Sequence, residues 1–176
     1  QNIQICPGCF SNPLGVSFLP RDPARQLLHG QGTLYFGDVD GNRTFDMLYG
    51  DLFDPGLCFY RNDGTVFNPV MDSITCRFPT NDPILTPGFN QPSLVDIDGD
   101  RDPDLFVSVL PALRQVNNFW FYRNVGDSAN FNLSLVTKNY LGTLDLGMEA
   151  TPTFVDIDND GDSDMFVGDL FSADSY

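Results

Sequence analysis

The sequence predicts an all-β chain, and two observations carry that prediction. A segment of about 60 residues recurs in register. Each copy breaks into short runs rich in Phe, Val, Tyr and Leu, separated by turn residues, as strands do. No run of about 18 apolar residues exists, so no membrane insertion is expected.

Taken in order, residues 1–32 match no repeat and form an N-terminal segment that is a candidate to complete a unit begun elsewhere. A short helix is expected there, opened by Asp22-Pro23 and closed at Gly30. Residues 34–48, 92–106 and 152–166 then align without gaps, and their first aspartates, Asp38, Asp96 and Asp156, stand 58 and then 60 residues apart. A second pattern follows the first two segments: Phe59-Tyr60-Arg61-Asn62-Asp63-Gly64 and Phe121-Tyr122-Arg123-Asn124-Val125-Gly126. The third copy runs as far as Gly168-Asp169-Leu170-Phe171, an echo of Gly50-Asp51-Leu52-Phe53. Strands are expected at 105–110, 118–124 and 131–137, with hairpin turns at Asn62-Asp63-Gly64 and Val125-Gly126-Asp127. A second short helix is expected at 111–116, an insertion between two strands.

About four antiparallel strands per unit of roughly 60 residues is the size of a β-propeller blade. The boundaries expected are 33–91 for the first blade, 92–151 for the second and 152–176 for part of a third. Two full blades and part of another make an incomplete ring. The expectation is a piece of a longer chain, or edges completed by neighbours.

Formal net charge is −15, which argues against nucleic acid or an anionic membrane surface as partner. The acidity is unusual in kind: 23 of the 24 acids are Asp, and Lys138 is the sole Lys. A solvated face would mix Asp with Glu and interleave Lys; short carboxylates in turns suit a bound cation instead.

The repeats place that cation. Asp38, Asp40, Asn42 and Asp46 occupy positions 1, 3, 5 and 9 of the first loop. Asp96, Asp98, Asp100 and Asp104 do so in the second, and Asp156, Asp158, Asp160 and Asp164 in the third. Carboxylates crowded in this way repel one another unless a counter-charge joins them. Calcium takes six to eight oxygens in a flexible shell, whereas magnesium demands a rigid octahedron and keeps more of its waters. Position 7 varies in side chain (Thr44, Asp102, Asp162), so its main-chain carbonyl is the expected ligand. An EF-hand is the competing motif, since Asp156-x-Asp158-x-Asp160-Gly161 opens like one. It fails at position 12, where Val167 replaces the bidentate Glu, and its flanks read as strands.

The Asp loop paired with Tyr-Arg-Asn-x-Gly resembles the FG-GAP repeat, also called the VCBS repeat, over about residues 33–176. That family builds the calcium-loop blades of integrin α-subunit propellers and of many secreted bacterial proteins. The resemblance implies three Ca2+ sites in loops joining the first two strands of each blade. The ligands implied are positions 1, 3, 5, 7 and 9: Asp38, Asp40, Asn42, Thr44, Asp46; Asp96, Asp98, Asp100, Asp102, Asp104; and Asp156, Asp158, Asp160, Asp162, Asp164. With Asn42 in place of an acid, the first site carries one charge less.

Four cysteines fit an oxidising compartment if bridged. Cys6–Cys9 and Cys58–Cys76 are the nearest pairs, with zinc binding and a redox pair as alternatives, and connectivity is not deducible from spacing. Gln1 is compatible with the first residue of a mature, processed chain. His29 is the lone His and reads as a surface or capping residue beside a helix end. A Ser-His or Cys-His catalytic pair would have to run through it. Phe119, Trp120, Phe121 and Tyr122 read as alternating residues of a buried strand rather than a sugar-stacking cluster.

The expected function is therefore non-enzymatic: a secreted, extracellular calcium-binding module for cell adhesion or scaffolding. Its expected partners are protein or glycan at a cell surface or in an extracellular assembly, copies of the chain included. The alternative is the non-catalytic propeller part, or a lectin module, of a larger secreted carbohydrate-active enzyme.

Overall fold

The computed structural model describes residues 32–52, 54–71, 73–109, 117–127, 131–142 and 151–168. The expected fold class is the one observed. A first antiparallel sheet runs β1 (Gly32–Gly37), β2 (Asp46–Asp51), β3 (Leu57–Arg61) and β4 (Ser73–Cys76), in that spatial order. A second repeats it with β5 (Asn90–Val95), β6 (Asp104–Val109), β7 (Phe119–Asn124) and β8 (Leu133–Thr137). β9 (Thr151–Val155) and β10 (Asp164–Gly168) form a two-stranded hairpin in the register of the first two strands of the other sheets. The described residues form no closed barrel.

The sheets stack face to face, and the sequence of the central one shows why. β6, Asp-Leu-Phe-Val-Ser-Val, is buried along its whole length, as an almost continuous apolar run requires. Alternate residues then serve opposite faces. Leu105, Val107, Trp120 and Tyr122 pack with Leu48 and Leu57 of the first sheet. Phe106, Phe119 and Phe121 turn the other way, toward Phe154, Met165 and Val167 of the third. The Phe106 ring stacks on Phe121 with centroids 4.7 Å apart and meets Phe154 at 4.9 Å. Each buried ring contributes roughly 1.5–3 kcal/mol of apolar transfer energy. The aromatic run at 119–122 is thus core, as its alternation predicts.

The first strand of each sheet faces its neighbour: β1 and β2 contact β5, and β5 contacts β9. There the backbones approach closely. The Thr33 hydroxyl donates to the Asn90 carbonyl, and Tyr35 reaches the Leu94 carbonyl at 3.3 Å. Gly50 faces the same Asn90 carbonyl so closely that a Cβ would overlap it.

Two expectations are refined. Asn62-Asp63-Gly64 opens the β3–β4 connection, but the tight turn lies at 65–68, where Thr65 and Asn68 exchange N–H···O bonds of 3.0 and 3.2 Å. β8 begins at Leu133 rather than 131, because Phe131 and Asn132 belong to the connection, tied by Val125 N–H to the Asn132 carbonyl at 2.9 Å. The two expected helices, Cys6, Cys9 and His29 lie outside the described residues. Cys58 and Cys76 are disulfide-bonded, directly opposite one another on β3 and β4 with Cα atoms 4.1 Å apart.

Candidate metal loops

In each sheet the Asp loop links the first two strands, closed by the pairs Gly37↔Asp46, Val95↔Asp104 and Val155↔Asp164. The ninth position is therefore the first paired residue of the second strand.

All three loops share one backbone path. Position 4 is left-handed at Gly41 (φ 76°), Gly99 (76°) and Asn159 (62°), and so is position 6 at Arg43 (68°), Arg101 (77°) and Gly161 (99°). Gly and Asn tolerate that region; an Arg there costs roughly 1–2 kcal/mol. The path turns N–H groups onto the carboxylates. Position 6 donates to position 1 in every loop: Arg43 to Asp38 at 2.9 Å, Arg101 to Asp96 at 2.8 Å, Gly161 to Asp156 at 3.1 Å. Position 7 donates to position 5 likewise: Thr44 to Asn42 at 2.7 Å, Asp102 to Asp100 at 2.9 Å, Asp162 to Asp160 at 3.1 Å. Loops with Thr or Asp at position 7 thus share one fold.

The acids converge. Oxygens of Asp38, Asp40 and Asp46 lie within 4.8 Å of one another, as do those of Asp96, Asp98 and Asp100, and of Asp156, Asp158 and Asp160. The first cluster thus joins positions 1, 3 and 9, and the other two join positions 1, 3 and 5. Asn42 turns its amide aside, donating to the Asn62 carbonyl at 3.1 Å, where the Thr44 hydroxyl also donates at 3.0 Å.

Position 9 has a second task that the loop spacing alone does not reveal. The Asp46 carboxylate accepts Val39 N–H and Asn62 N–H, each at 2.8 Å. Asp104 accepts Asn124 N–H at 2.7 Å, and Asp164 accepts Ile157 N–H at 3.0 Å. The asparagine of Tyr-Arg-Asn continues the network: Asn62 Oδ1 accepts Gly64 and Val70 N–H at 3.0 and 2.9 Å, and Asn124 Oδ1 accepts Gly126 and Asn132 N–H, each at 3.0 Å. The arginine of the same motif reaches position 3: Arg61 Nε lies 2.6 Å from Asp40, and Arg123 Nε 3.4 Å from Asp98. The signal for these residues was the recurrence of Tyr-Arg-Asn with each of the first two loops.

The donor set fits a hard divalent cation. It is all oxygen, and Asp104 Oδ2 and Asp38 Oδ1 are buried with no hydrogen-bond partner among the described residues. Burial pushes the Asp46 and Asp104 carboxyls above the ordinary range, and neighbouring loop charges push the same way. Backbone donors, Asn62 and Val39 for Asp46 and Asn124 for Asp104, pull the other way. In the exposed third loop, hydrogen bonds from Asp162 hold Asp160 down, while Asp162 is pushed up by its side-chain bond to Asp160 and by that residue's charge. A cation would relieve each of these repulsions.

No curated protein and no solved structure matches the chain. Residues 96–167 match the FG-GAP-like repeat family, a span from the first aspartate of the second loop through Val167 in β10. The first sheet repeats the same loop path, the same closing pair and the same Tyr-Arg-Asn anchor. Residues 96–167 are thus similar to the FG-GAP-like repeat family, and the first sheet repeats their geometry.

Proposed function

We propose that the chain is a calcium-binding repeat module of a secreted protein, in which Ca2+ pins the first hairpin of each blade. The blades then serve as an extracellular adhesion or structural scaffold. The observation that carries this reading is the threefold recurrence of one loop path with clustered carboxylates, joined in the first two loops by a buried oxygen left without a hydrogen bond. The bound ion would supply structural charge neutralisation, and the reading assigns no catalytic role. The disulfide between Cys58 and Cys76 supports an oxidising compartment. Contact with protein or glycan would use the connections at the loop end of the sheets. There the 65–68 turn holds out Phe67, 98% exposed, beside the exposed Val66.

Calorimetric titration of the chelator-treated chain with calcium chloride tests the reading. Three ions per chain are expected, and Asp98→Ala should lose one of them. Absence of calcium uptake at millimolar concentration would refute it.

A further inference from the structure

The Tyr-Arg-Asn motif places a permanent cation against two of the three loops. Arg61 Nε lies 2.6 Å from Asp40 and 3.2 Å from Asp63, and Arg123 Nε lies 3.4 Å from Asp98. Arg61 is the last residue of β3 and Arg123 the last but one of β7, each just before an asparagine whose N–H is bound by the ninth aspartate, so the guanidinium is delivered to the loop by the strand itself. Among the described residues no Lys, Arg or His pairs with an acid of the third loop.

We propose that Arg61 and Arg123 are built-in counter-ions of the first and second loops. They neutralise Asp40 and Asp98 when no metal is bound, and they lower the calcium affinity of those loops. The inference rests on the calcium reading given above. Its physics is Coulombic. In the metal-free loop the guanidinium offsets like-charge repulsion among carboxylates. When a divalent ion arrives, the same guanidinium is a like charge held close by, and it competes for an oxygen of position 3. The arginine therefore stabilises the empty loop and weakens the filled one. The first loop, with Asn42 at position 5 as well as Arg61, is weaker than the second, whose five odd positions are all Asp.

The test compares Arg123→Gln, Arg123→Lys and Arg61→Gln with the unaltered chain, by calcium chloride titration and by thermal unfolding in chelator. Both arginines are about half exposed, so the variants keep the fold. Arg123→Gln should tighten one of the three ions by about fivefold, the scale of one unit charge at close range in a high dielectric. It should also lower the melting temperature in chelator. Arg61→Gln should do the same for the ion of the first loop, and Arg123→Lys, which keeps the charge, should leave both quantities unchanged. Weaker or unaltered calcium binding in Arg123→Gln overturns the proposal, and so does an unaltered chelated melting temperature. Absence of calcium uptake by the unaltered chain would sink the calcium reading and the affinity claim with it. The chelated melting series would then still decide whether the arginines balance the empty loops.

Discussion

The Asp46 carboxylate accepts the backbone N–H of Asn62 at 2.8 Å, joining the ninth position of the first loop to the end of β3 across 16 residues. Its other oxygen holds Val39 N–H in the loop itself. Asp46→Ala therefore strands two backbone donors in a buried site, at a cost of about 2–4 kcal/mol. The loss should appear in chelator as well as in calcium. Asp104→Ala should behave likewise, through Asn124. Chemical denaturation of both variants with and without EGTA checks this; a loss confined to calcium-loaded protein would show the ninth position to be a ligand and no more.

Chelation should lower stability strongly and cooperatively. At a hundredfold excess over the dissociation constant each bound ion adds about 2.7 kcal/mol. Asp98→Ala should reproduce part of that loss and cost more than Asp127→Ala, which lies outside the loops. The measurement is the melting temperature of the three chains in EGTA and in calcium, and a curve indifferent to EGTA contradicts the loops' structural role.

The repeats were legible because loop chemistry is local: alternate aspartates, a Gly or Asn at position 4 and the strand-like flanks are all read from adjacent residues. Phe119 to Tyr122 were legible for the same reason, since alternation alone assigns them to two buried faces. The partners of Asp46 and Asp104 were not. The separations to Asn62 and Asn124 differ, 16 against 20, because the β2–β3 and β6–β7 connections differ in length. A gapless alignment therefore cannot pair them. The left-handed backbone at Arg43 and Arg101 was also hidden, as Arg is not a residue that signals positive φ.

Gly50 lies where β2 meets the Asn90 carbonyl of the second sheet, and an added methyl has no room. Gly50→Ala should cost about 1–3 kcal/mol by forcing the sheets apart. The cost should be the same with and without calcium. Gly99 has open space around its Cβ position, so Gly99→Ala should pay only for its positive φ. Equal losses at the two glycines would mean that the sheets separate without resistance.

Cys58 and Cys76 close a loop with a sequence separation of 18, which stabilises the chain by roughly 3 kcal/mol through the unfolded state. The double variant Cys58→Ser, Cys76→Ser should lose about that much. Thiol titration of the denatured, unreduced chain should find neither residue reactive; free thiols at both positions would contradict the bridge and the oxidising compartment it supports.

The most direct measurement of the central claim is the anomalous scattering map of crystals grown in millimolar calcium. The account predicts peaks of calcium strength inside the loops at 38–46, 96–104 and 156–164, each ringed by oxygens at about 2.3–2.6 Å. Loops that hold only water under those conditions would contradict it.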